Sequence, residues 1–213
     1  ITTVAGGGSS YPGDGGAATS ASLRSPVGGV ALDPSGNLYI AEKGGYRVRK
    51  VTPGGTITTV AGSGTRGFSG DGGPATSAAL SDPSGVALAP TGDLYIADSG
   101  NYRIRKVSGG TITTAAGTGE PFFGGDGGPA TSAKLWGPNG VAVDALGNLY
   151  IADTLNHRVR KVSAGTITTV AGKSGFGFSG DGGSPTAAQL YSPAGVAVDA
   201  AGNLYIADSS NRR

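Results

Sequence analysis

The chain of 213 residues carries 42 glycines, no cysteine, only 14% charged residues and a formal net charge of +2 at pH 7. So much glycine suits many tight turns between short strands and argues against long helices, and the lack of cysteine excludes disulfides and thiol chemistry. The small net charge does not indicate a nucleic-acid or membrane-surface partner, and no apolar run reaches the roughly 18 residues of a membrane span.

An internal repeat dominates the sequence. The segment from Ile57 to Lys106 recurs from Ile112 to Lys161, again from Ile167 onward, and once before from Ile1. The period is about 55 residues. Such a repeat indicates an array of similar units, in which each unit is one small supersecondary structure.

Each unit reads as four short strands. In the second unit these are 85–89, 93–98, 103–107 and 111–116, separated by turns rich in Gly, Pro, Asn and Ser. A four-stranded antiparallel meander cannot bury both of its faces alone, so neighbouring sheets must stack. Stacked, twisted meanders at a fixed period close radially, which predicts an all-β β-propeller of four-stranded antiparallel blades.

The predicted organisation is a single propeller domain or fragment. An outer strand and a linker occupy 1–28, three repeats occupy 29–84, 85–139 and 140–194, and a partial repeat occupies 195–213. The segment Ile1-Thr-Thr-Val-Ala is expected to be an outer strand without a blade of its own. Two interpretations stay open: four repeats of a larger ring, six-bladed by preference, or a unit that borrows a strand from another copy.

The strands beginning at Gly85, Asp93 and Arg103 resemble the repeat of the NHL-repeat β-propellers. That repeat joins Gly-Val-Ala-Val-Asp, Asn-Leu-Tyr-Ile-Ala-Asp and Asn-x-Arg-Ile strands. The long linkers between units are similar to a form seen in bacterial members. The resemblance implies a propeller used mostly for binding, often six-bladed, in extracellular, receptor-attached or RNA-binding proteins. The matching segments are Gly29–Val51, Gly85–Val107, Gly140–Val162 and Gly195–Arg213.

The linkers are expected to crowd one face of the ring, and each carries the same markers. A Gly-Asp-Gly-Gly motif follows an aromatic residue and precedes a leucine. The structural interpretation is that aromatic and leucine form a small satellite cluster that holds the loop down. A short helix is predicted in Pro74–Leu80, because proline suits a first helical position. The aromatics are Tyr11, Phe68, Phe123 and Phe178, and the leucines are Leu23, Leu80, Leu135 and Leu190.

The aspartates of the four motifs have two interpretations. A carboxylate among glycines can pin a turn, or it can bind calcium beside backbone carbonyls. They are Asp14, Asp71, Asp126 and Asp181. No other cofactor is expected.

A second recurrent acid, at the end of the second strand, is expected to pair with a following arginine and hold the turn or the next blade. The acids are Glu42, Asp98, Asp153 and Asp208, and the arginines are Arg47, Arg103, Arg158 and Arg213.

Some linker residues break the repeat and are the candidates for function. His157, the only histidine, is expected to be solvated, and by itself it excludes a multi-histidine metal site within this stretch. The predicted binding face, for a protein or glycan, consists of Phe68, Phe122, Phe123, Trp136, Phe176, Phe178 and Tyr191. The alternative is neutral variation on exposed loops.

No catalytic residue is identified, and the leading hypothesis is a non-catalytic binding or scaffold propeller, extracellular or in a cell envelope. One alternative is self-assembly in which strand exchange completes a blade. Another is part of a calcium-dependent lyase or lactonase, with Asp33, Asp144 and Asp199 as suggestive acids. RNA binding by the basic strands at 47–50, 103–106 and 158–161 is the least favoured, since their side chains point to alternate faces.

Overall fold

The computed structural model describes residues 1–25 and 28–213; Pro26 and Val27, at the end of the first linker, lie outside the described residues. The described chain forms three four-stranded sheets and one two-stranded sheet, all antiparallel. Strand order within each sheet follows the chain, so each repeat folds into its own meander. The predicted all-β propeller is confirmed, although the described residues do not close a ring.

The first blade contains β1 (Val30–Leu32), β2 (Leu38–Glu42), β3 (Arg47–Val51) and β4 (Ile57–Ala61). The second contains β5 (Pro83–Leu88), β6 (Leu94–Asp98), β7 (Arg103–Ser108) and β8 (Thr111–Ala116). The third contains β9 (Pro138–Val143), β10 (Leu149–Asp153), β11 (Arg158–Ser163) and β12 (Thr166–Ala171). The last sheet contains β13 (Pro193–Val198) and β14 (Leu204–Asp208).

Single turns of 3-10 helix punctuate the strands. One group lies in the linkers, at Ala18–Ser20, Ala75–Ser77, Ala130–Ser132 and Pro185–Ala187. The other lies between the second and third strands of each repeat, at Lys43–Gly45, Ser99–Asn101, Thr154–Asn156 and Ser209–Asn211.

The core lies between blades, as expected for stacked sheets. One buried cluster joins Ala41 and Val48 of the first blade to Leu94, Ile96 and Ile112 of the second. A second cluster repeats the arrangement between the second and third blades. Burial of apolar side chains between sheets, at roughly 25 cal/mol per Å², is therefore what joins consecutive repeats.

The linkers are folded against the blades. The helix predicted in Pro74–Leu80 is present as the single turn Ala75–Ser77. Its linker binds the outer hairpin of the following blade, since the Ala75 N–H donates to the Gly110 carbonyl over 2.8 Å. The predicted satellite cluster is wrong: Leu80 is fully buried in the core between blades, whereas Phe68 remains 43% exposed.

The outer strand expected at residues 1–5 is also wrong. These residues lie in no strand, and Ile1 and Val4 are exposed. A strand requires a neighbour whose backbone groups complement its own, and no described strand lies alongside this segment. The apolar pattern of residues 1–5 thus matches the outer strands of the other units, but it does not by itself make this segment a strand.

The inner strands β1, β5, β9 and β13 contact one another in sequence and line an open axial channel of about 460 Å³. Three glycines in or just before the inner strands, Gly28, Gly85 and Gly140, permit close approach of neighbouring backbones. A Cβ atom built on Gly140 would lie 2.8 Å from the Ala194 carbonyl oxygen. On Gly195 the closest heavy atom to such a Cβ is the Ala207 Cβ, at an ordinary 3.4 Å.

This difference gives a matched pair of variants. We expect Gly140→Ala to lower the free energy of unfolding by about 1–3 kcal/mol, because the added methyl group forces β9 and β13 apart. Gly195→Ala should change it by less than about 0.5 kcal/mol. Urea unfolding followed by circular dichroism measures both, and equal effects of the two substitutions would contradict backbone packing at the axis.

Candidate functional site

Each complete blade buries an arginine between two carboxylates. In the second blade, Arg105 of β7 approaches Asp98 at the end of β6 (3.3 Å) and Asp71 of the Gly-Asp-Gly-Gly motif (2.7 Å). The side chains of Arg105 and Asp98 are fully buried, whereas that of Asp71 is 40% exposed. The other two triads are Arg49 with Glu42 and Asp14, and Arg160 with Asp153 and Asp126.

The expected acid–arginine pairing is therefore corrected by two positions. Asp98 lies opposite Arg103 in the strand register, yet its ion-pair partner is Arg105. The Arg103 guanidinium instead donates to the Thr118 carbonyl and lies 3.7 Å from the centroid of the Phe68 ring. The other two complete blades show the same shift. Glu42 pairs with Arg49 and not with Arg47, and Asp153 pairs with Arg160 and not with Arg158. Arg213 has no ion-pair partner among the described residues and lies over Phe178.

The buried acid at the end of each second strand also fixes the end of the linker. The Asp98 Oδ1 atom accepts a hydrogen bond from the Ser81 N–H (2.7 Å), directly after the buried Leu80. The equivalent bond runs from the Trp136 N–H to Asp153 and from the Tyr191 N–H to Asp208, each over 2.7 Å. The repeated acid thus holds in place the residue after the leucine, which differs from unit to unit.

Three of the four motif aspartates, Asp14, Asp71 and Asp126, have partners among the described residues. Besides Arg105, Asp71 accepts a bond from the Thr114 hydroxyl (2.6 Å), and Asp126 accepts one from the Thr169 hydroxyl (2.6 Å). Within residues 1–25 and 28–213, no three His, Cys, Asp or Glu side chains cluster as a metal site would require. These contacts fit the interpretation that the aspartate pins the linker.

The acids considered for a calcium-dependent enzyme do not line the axial channel. Asp33 lies in the turn between the first two strands, where it accepts bonds from the Asn37 side chain (2.7 Å) and backbone (2.8 Å). Asp144 and Asp199 make the same contacts in their own blades. The Asn37 side-chain bond is the main influence that lowers the pKa of Asp33. These carboxylates stabilise turns.

The predicted binding-face residues separate into two groups. Phe68, Phe123 and Phe178 each have an arginine over the ring, with guanidinium-to-centroid distances of 3.7, 4.0 and 4.0 Å. Such cation–π contacts stabilise the linker at its own blade. The remaining four residues pair with each other and form the surface described next.

We define the aromatic patch as Phe122, Trp136, Leu155, His157, Phe176 and Tyr191. Phe122 and Trp136 lie with ring centroids 4.9 Å apart, as do Phe176 and Tyr191. Phe122 and Phe176 are the most exposed, at 60% and 63%. Large apolar side chains of two successive linkers therefore remain in contact with solvent.

One turn joins the two aromatic pairs. In the turn after β10, the Asn156 amide donates to the Phe122 carbonyl (2.9 Å), and the Leu155 N–H donates to the Trp136 carbonyl (3.0 Å). The next residue, His157, packs against Phe176 (5.7 Å) and Tyr191 (5.5 Å) between ring centroids. This one turn therefore contacts both linkers and links the aromatic pair of the third linker to that of the fourth.

The structure adds Leu155 and His157 to the sequence-derived set. His157 was expected to be solvated, but it is half-buried, and burial is the main cause that lowers its pKa. Its Nδ1 atom accepts a bond from the Ser192 N–H (3.1 Å), as a neutral imidazole can. The sequence contained one sign that His157 belongs to this surface, because His157 occupies the position of Tyr46 and Tyr102 in the other repeats.

The first two linkers place different chemistry at the equivalent positions. Arg24 lies over the Tyr11 ring at 3.8 Å, and Arg66 bonds to Ser81 and Asp82. Equivalent backbone positions thus carry polar and basic side chains in the first two linkers and the aromatic patch in the third and fourth. Among the described residues, the paired and exposed aromatic side chains lie in the third and fourth linkers.

Family models match three separate parts of the chain. The NHL repeat matches residues 135–162 and 190–213, and the Teneurin NHL domain matches residues 64–108. Residues 64–108 cover the second linker and the first three strands of the second blade, and the other two segments cover the first strands of the third and fourth repeats. The chain belongs to the NHL-repeat family.

Two relatives align with nearly the whole of this NHL-repeat chain. Protein SUPPRESSOR OF QUENCHING 1, chloroplastic, from Arabidopsis thaliana is 34% identical over 99% of the chain, and human Teneurin-1 is 32% identical over 96%. The chain spans only 21% and 8% of those proteins, respectively. The similarity therefore concerns one region of much larger molecules.

Solved structures share the fold. A streptogramin B lyase superposes with a TM-score of 0.59 at 16% identity, over 88% of this chain and 50% of that one. At this identity the likeness concerns the propeller fold alone. No helix among the described residues is long and apolar enough to cross a membrane.

Removal of the arginine from an NHL blade tests the triad. We expect Arg105→Gln to lower the free energy of unfolding by about 3–5 kcal/mol, because the buried Asp98 carboxylate would lose its cation. The control is Arg66→Gln, which removes a largely exposed pair with Asp82 and should cost less than about 1 kcal/mol. Urea denaturation measures both, and a small effect of Arg105→Gln would contradict a structural role for the triad.

The buried acid of the third blade gives a pH-dependent prediction. Burial raises the pKa of Asp153 from 3.8 to about 6, despite bonds from Trp136, Asn156 and Arg160. The unfolded chain therefore releases this proton at lower pH than the folded chain. The contribution of Asp153 to stability is fully present below about pH 4, is lost as the pH rises to about 6, and changes no further above it.

Asp153→Asn removes the titration while leaving Asp126 beside Arg160. We expect the stability of the wild type relative to this variant to fall between pH 4 and 6 and to be constant above pH 6.5. Thermal unfolding of both proteins across this range measures the difference. Parallel stability curves between pH 4 and 6 would contradict the raised pKa.

Proposed function

We propose that this NHL propeller is a binding or scaffold module that recognises a protein or glycan through the aromatic patch on its linker face. The observation that carries the proposal is that one turn links the exposed aromatic pairs of two successive linkers. Isolated exposed apolar residues are common on protein surfaces, but contiguous apolar patches mark interaction sites. Trp, Tyr and Phe are also the residues enriched at interface centres.

The geometry of the aromatic patch suits recognition of a flat or ring-shaped apolar group. Phe122 and Phe176 expose much of their ring surface. Trp136 is half-buried, Tyr191 is 37% exposed, and these two residues add a polar N–H and a polar O–H group. Aromatic faces of this kind pack on the apolar face of a sugar ring or on an aromatic or aliphatic side chain. Both a glycan and a protein segment offer such groups.

The backbone that carries Trp136 and Tyr191 is held in place before any ligand arrives. The backbone bonds to Asp153 and Asp208 fix Trp136 and Tyr191, and the Leu155 and Asn156 bonds fix the turn between them. Binding to an ordered surface loses less conformational entropy than binding to a mobile loop. The rigid blade thus supports affinity from a modest contact area.

The other hypotheses receive less support. The arginines Arg49, Arg105 and Arg160 of the basic strands are fully buried in triads, and Lys106 pairs with Asp93 at 2.7 Å, which weakens the case for RNA binding. The calcium-dependent enzyme receives less support because Asp33, Asp144 and Asp199 bond to asparagines of their turns. Three of the motif aspartates pair with buried arginines. Assembly by strand exchange stays a hypothesis that no contact among the described residues tests. We also propose an extracellular or cell-envelope location, where such ligands are accessible.

The single tryptophan, Trp136, reports on binding because it lies in the aromatic patch. We expect its fluorescence to shift on titration with at least one member of a panel of defined oligosaccharides and aromatic-rich peptides. Phe122→Ala and Phe176→Ala should each weaken that binding about tenfold or more, as expected for an aromatic anchor at an interface centre.

Tyr205→Ala is the control, because Tyr205 is a 59% exposed aromatic residue on β14 outside the aromatic patch. This variant should bind as the wild type does. Unchanged affinity of the Phe122→Ala and Phe176→Ala variants, with their thermal stability retained, would overturn the proposal.

A further inference from the structure

The third linker departs from the second at four positions that the fold brings together. We call these residues the third-linker cluster: Glu120, Phe122, Lys134 and Trp136, where the second linker carries Thr65, Gly67, Ala79 and Ser81. A backbone bridge between Gly124 and Lys134 places the two linker segments side by side. The blades before and after this linker both have four strands, so the cluster lies between complete units.

The four residues form two matched contacts. The rings of Phe122 and Trp136 lie with their centroids 4.9 Å apart and tilted by 57°. The Lys134 ammonium lies 2.7 Å from the Glu120 carboxylate. Each charged residue stands two positions from one of the rings. Unrelated changes on an exposed loop would not be expected to produce two matched pairs at one place, so the cluster is a built feature of this linker.

Phe122 adopts a backbone conformation that favours glycine. Its φ is +76°, and the equivalent residues of the second and fourth linkers are Gly67 and Gly177, which also have positive φ. The position is otherwise shared, since the Phe122 carbonyl accepts the Asn156 amide as the Gly67 carbonyl accepts the Asn101 amide. A β-carbon is strained at this φ, and the ring is 60% exposed, so burial does not offset the strain. Strain of this kind is retained where a side chain has a function.

The chemistry of the third-linker cluster matches a neutral ring that carries hydroxyl groups. The exposed Phe122 ring offers an apolar face. The Glu120 and Lys134 side chains, 65% and 45% exposed, neutralise each other and leave no net charge for a charged ligand. A carboxylate only accepts hydrogen bonds and an ammonium only donates them, whereas a hydroxyl does both. A sugar ring has an apolar C–H face and a rim of adjacent hydroxyls, and it therefore complements both pairs.

We propose that the third-linker cluster is a subsite for one hexose residue of a neutral glycan. The C–H face of the sugar packs on the Phe122 and Trp136 rings, one hydroxyl donates to the Glu120 carboxylate, and the adjacent hydroxyl accepts from the Lys134 ammonium. This inference rests on the proposed function and narrows its ligand from a protein or glycan to a glycan. Hydrogen bonds to charged groups are stronger than those between neutral groups, so the ion pair supplies specificity beside the aromatic contact.

The test titrates the full 213-residue chain with four neutral oligosaccharides, namely cellohexaose, mannohexaose, maltohexaose and chitohexaose. Trp136 fluorescence and isothermal titration calorimetry follow binding, and we expect saturable binding of at least one of them. Glu120→Gln should weaken that binding about tenfold, because it removes a charged acceptor. The control is Lys173→Gln, which changes an exposed basic residue of the fourth linker and should leave binding unchanged.

Two variants at position 122 separate the binding role of the ring from the strain of the backbone. Phe122→Gly and Phe122→Ala both remove the ring, so each should weaken oligosaccharide binding about tenfold or more. Phe122→Gly should melt about 2–4 °C above Phe122→Ala, because only glycine adopts this positive φ without strain. Equal melting temperatures of the two variants would contradict the strain at Phe122 and overturn the proposal.

Failure of this inference is distinct from failure of the proposed function. Binding of aromatic-rich peptides, with no binding of the four oligosaccharides at about 10 mM, tenfold above a millimolar Kd, would overturn the hexose subsite and leave recognition of a protein intact. An oligosaccharide that binds equally to the wild type, Glu120→Gln and Phe122→Gly would place the sugar elsewhere and overturn it as well. Binding of neither class of ligand would overturn both.

Discussion

The structure depends on the burial of an arginine between two carboxylates in each complete blade. A charged guanidinium is costly to place in a protein interior unless its charge and its donors are satisfied, and here one acid comes from the blade and the other from the linker. The Arg105 triad therefore ties Asp98, at the end of a strand, to Asp71, in a loop that lies 27 positions earlier in the chain. Sheets alone would leave the long linkers without a fixed position.

This constraint separates the constant part of the repeat from its variable part. The inner acid also accepts the backbone N–H of the residue after the linker leucine, whatever side chain that residue carries. Ser81, Trp136 and Tyr191 thus occupy equivalent positions with different chemistry. Because the bond uses the backbone, the side chain is free to change without loss of the fold. An aromatic patch can therefore arise on two linkers while a polar pair remains on another.

The repeat predicted the blades well because strand periodicity and turn chemistry are local properties. The strands of the second unit and the single helical turn near Pro74 follow from the pattern of apolar residues and turn formers. The pattern failed at residues 1–5, where the strand requires a neighbour that the described chain does not supply. It also failed to distinguish Arg103 from Arg105, since both point to the same face of β7 and differ only in what the linker brings within reach.

By itself the sequence determined the fold class, the repeat boundaries, the residues that break the repeat and the recurrence of a carboxylate with an arginine. Each of these follows from spacing along the chain. Only the tertiary structure decided which aromatic residues share a surface. Phe68 lies under an arginine, whereas Phe122 and Tyr191, 69 positions apart, belong to one aromatic patch because the turn at Leu155–His157 bridges two blades. Contacts between blades depend on how the sheets stack, which is a non-local property that no residue spacing specifies.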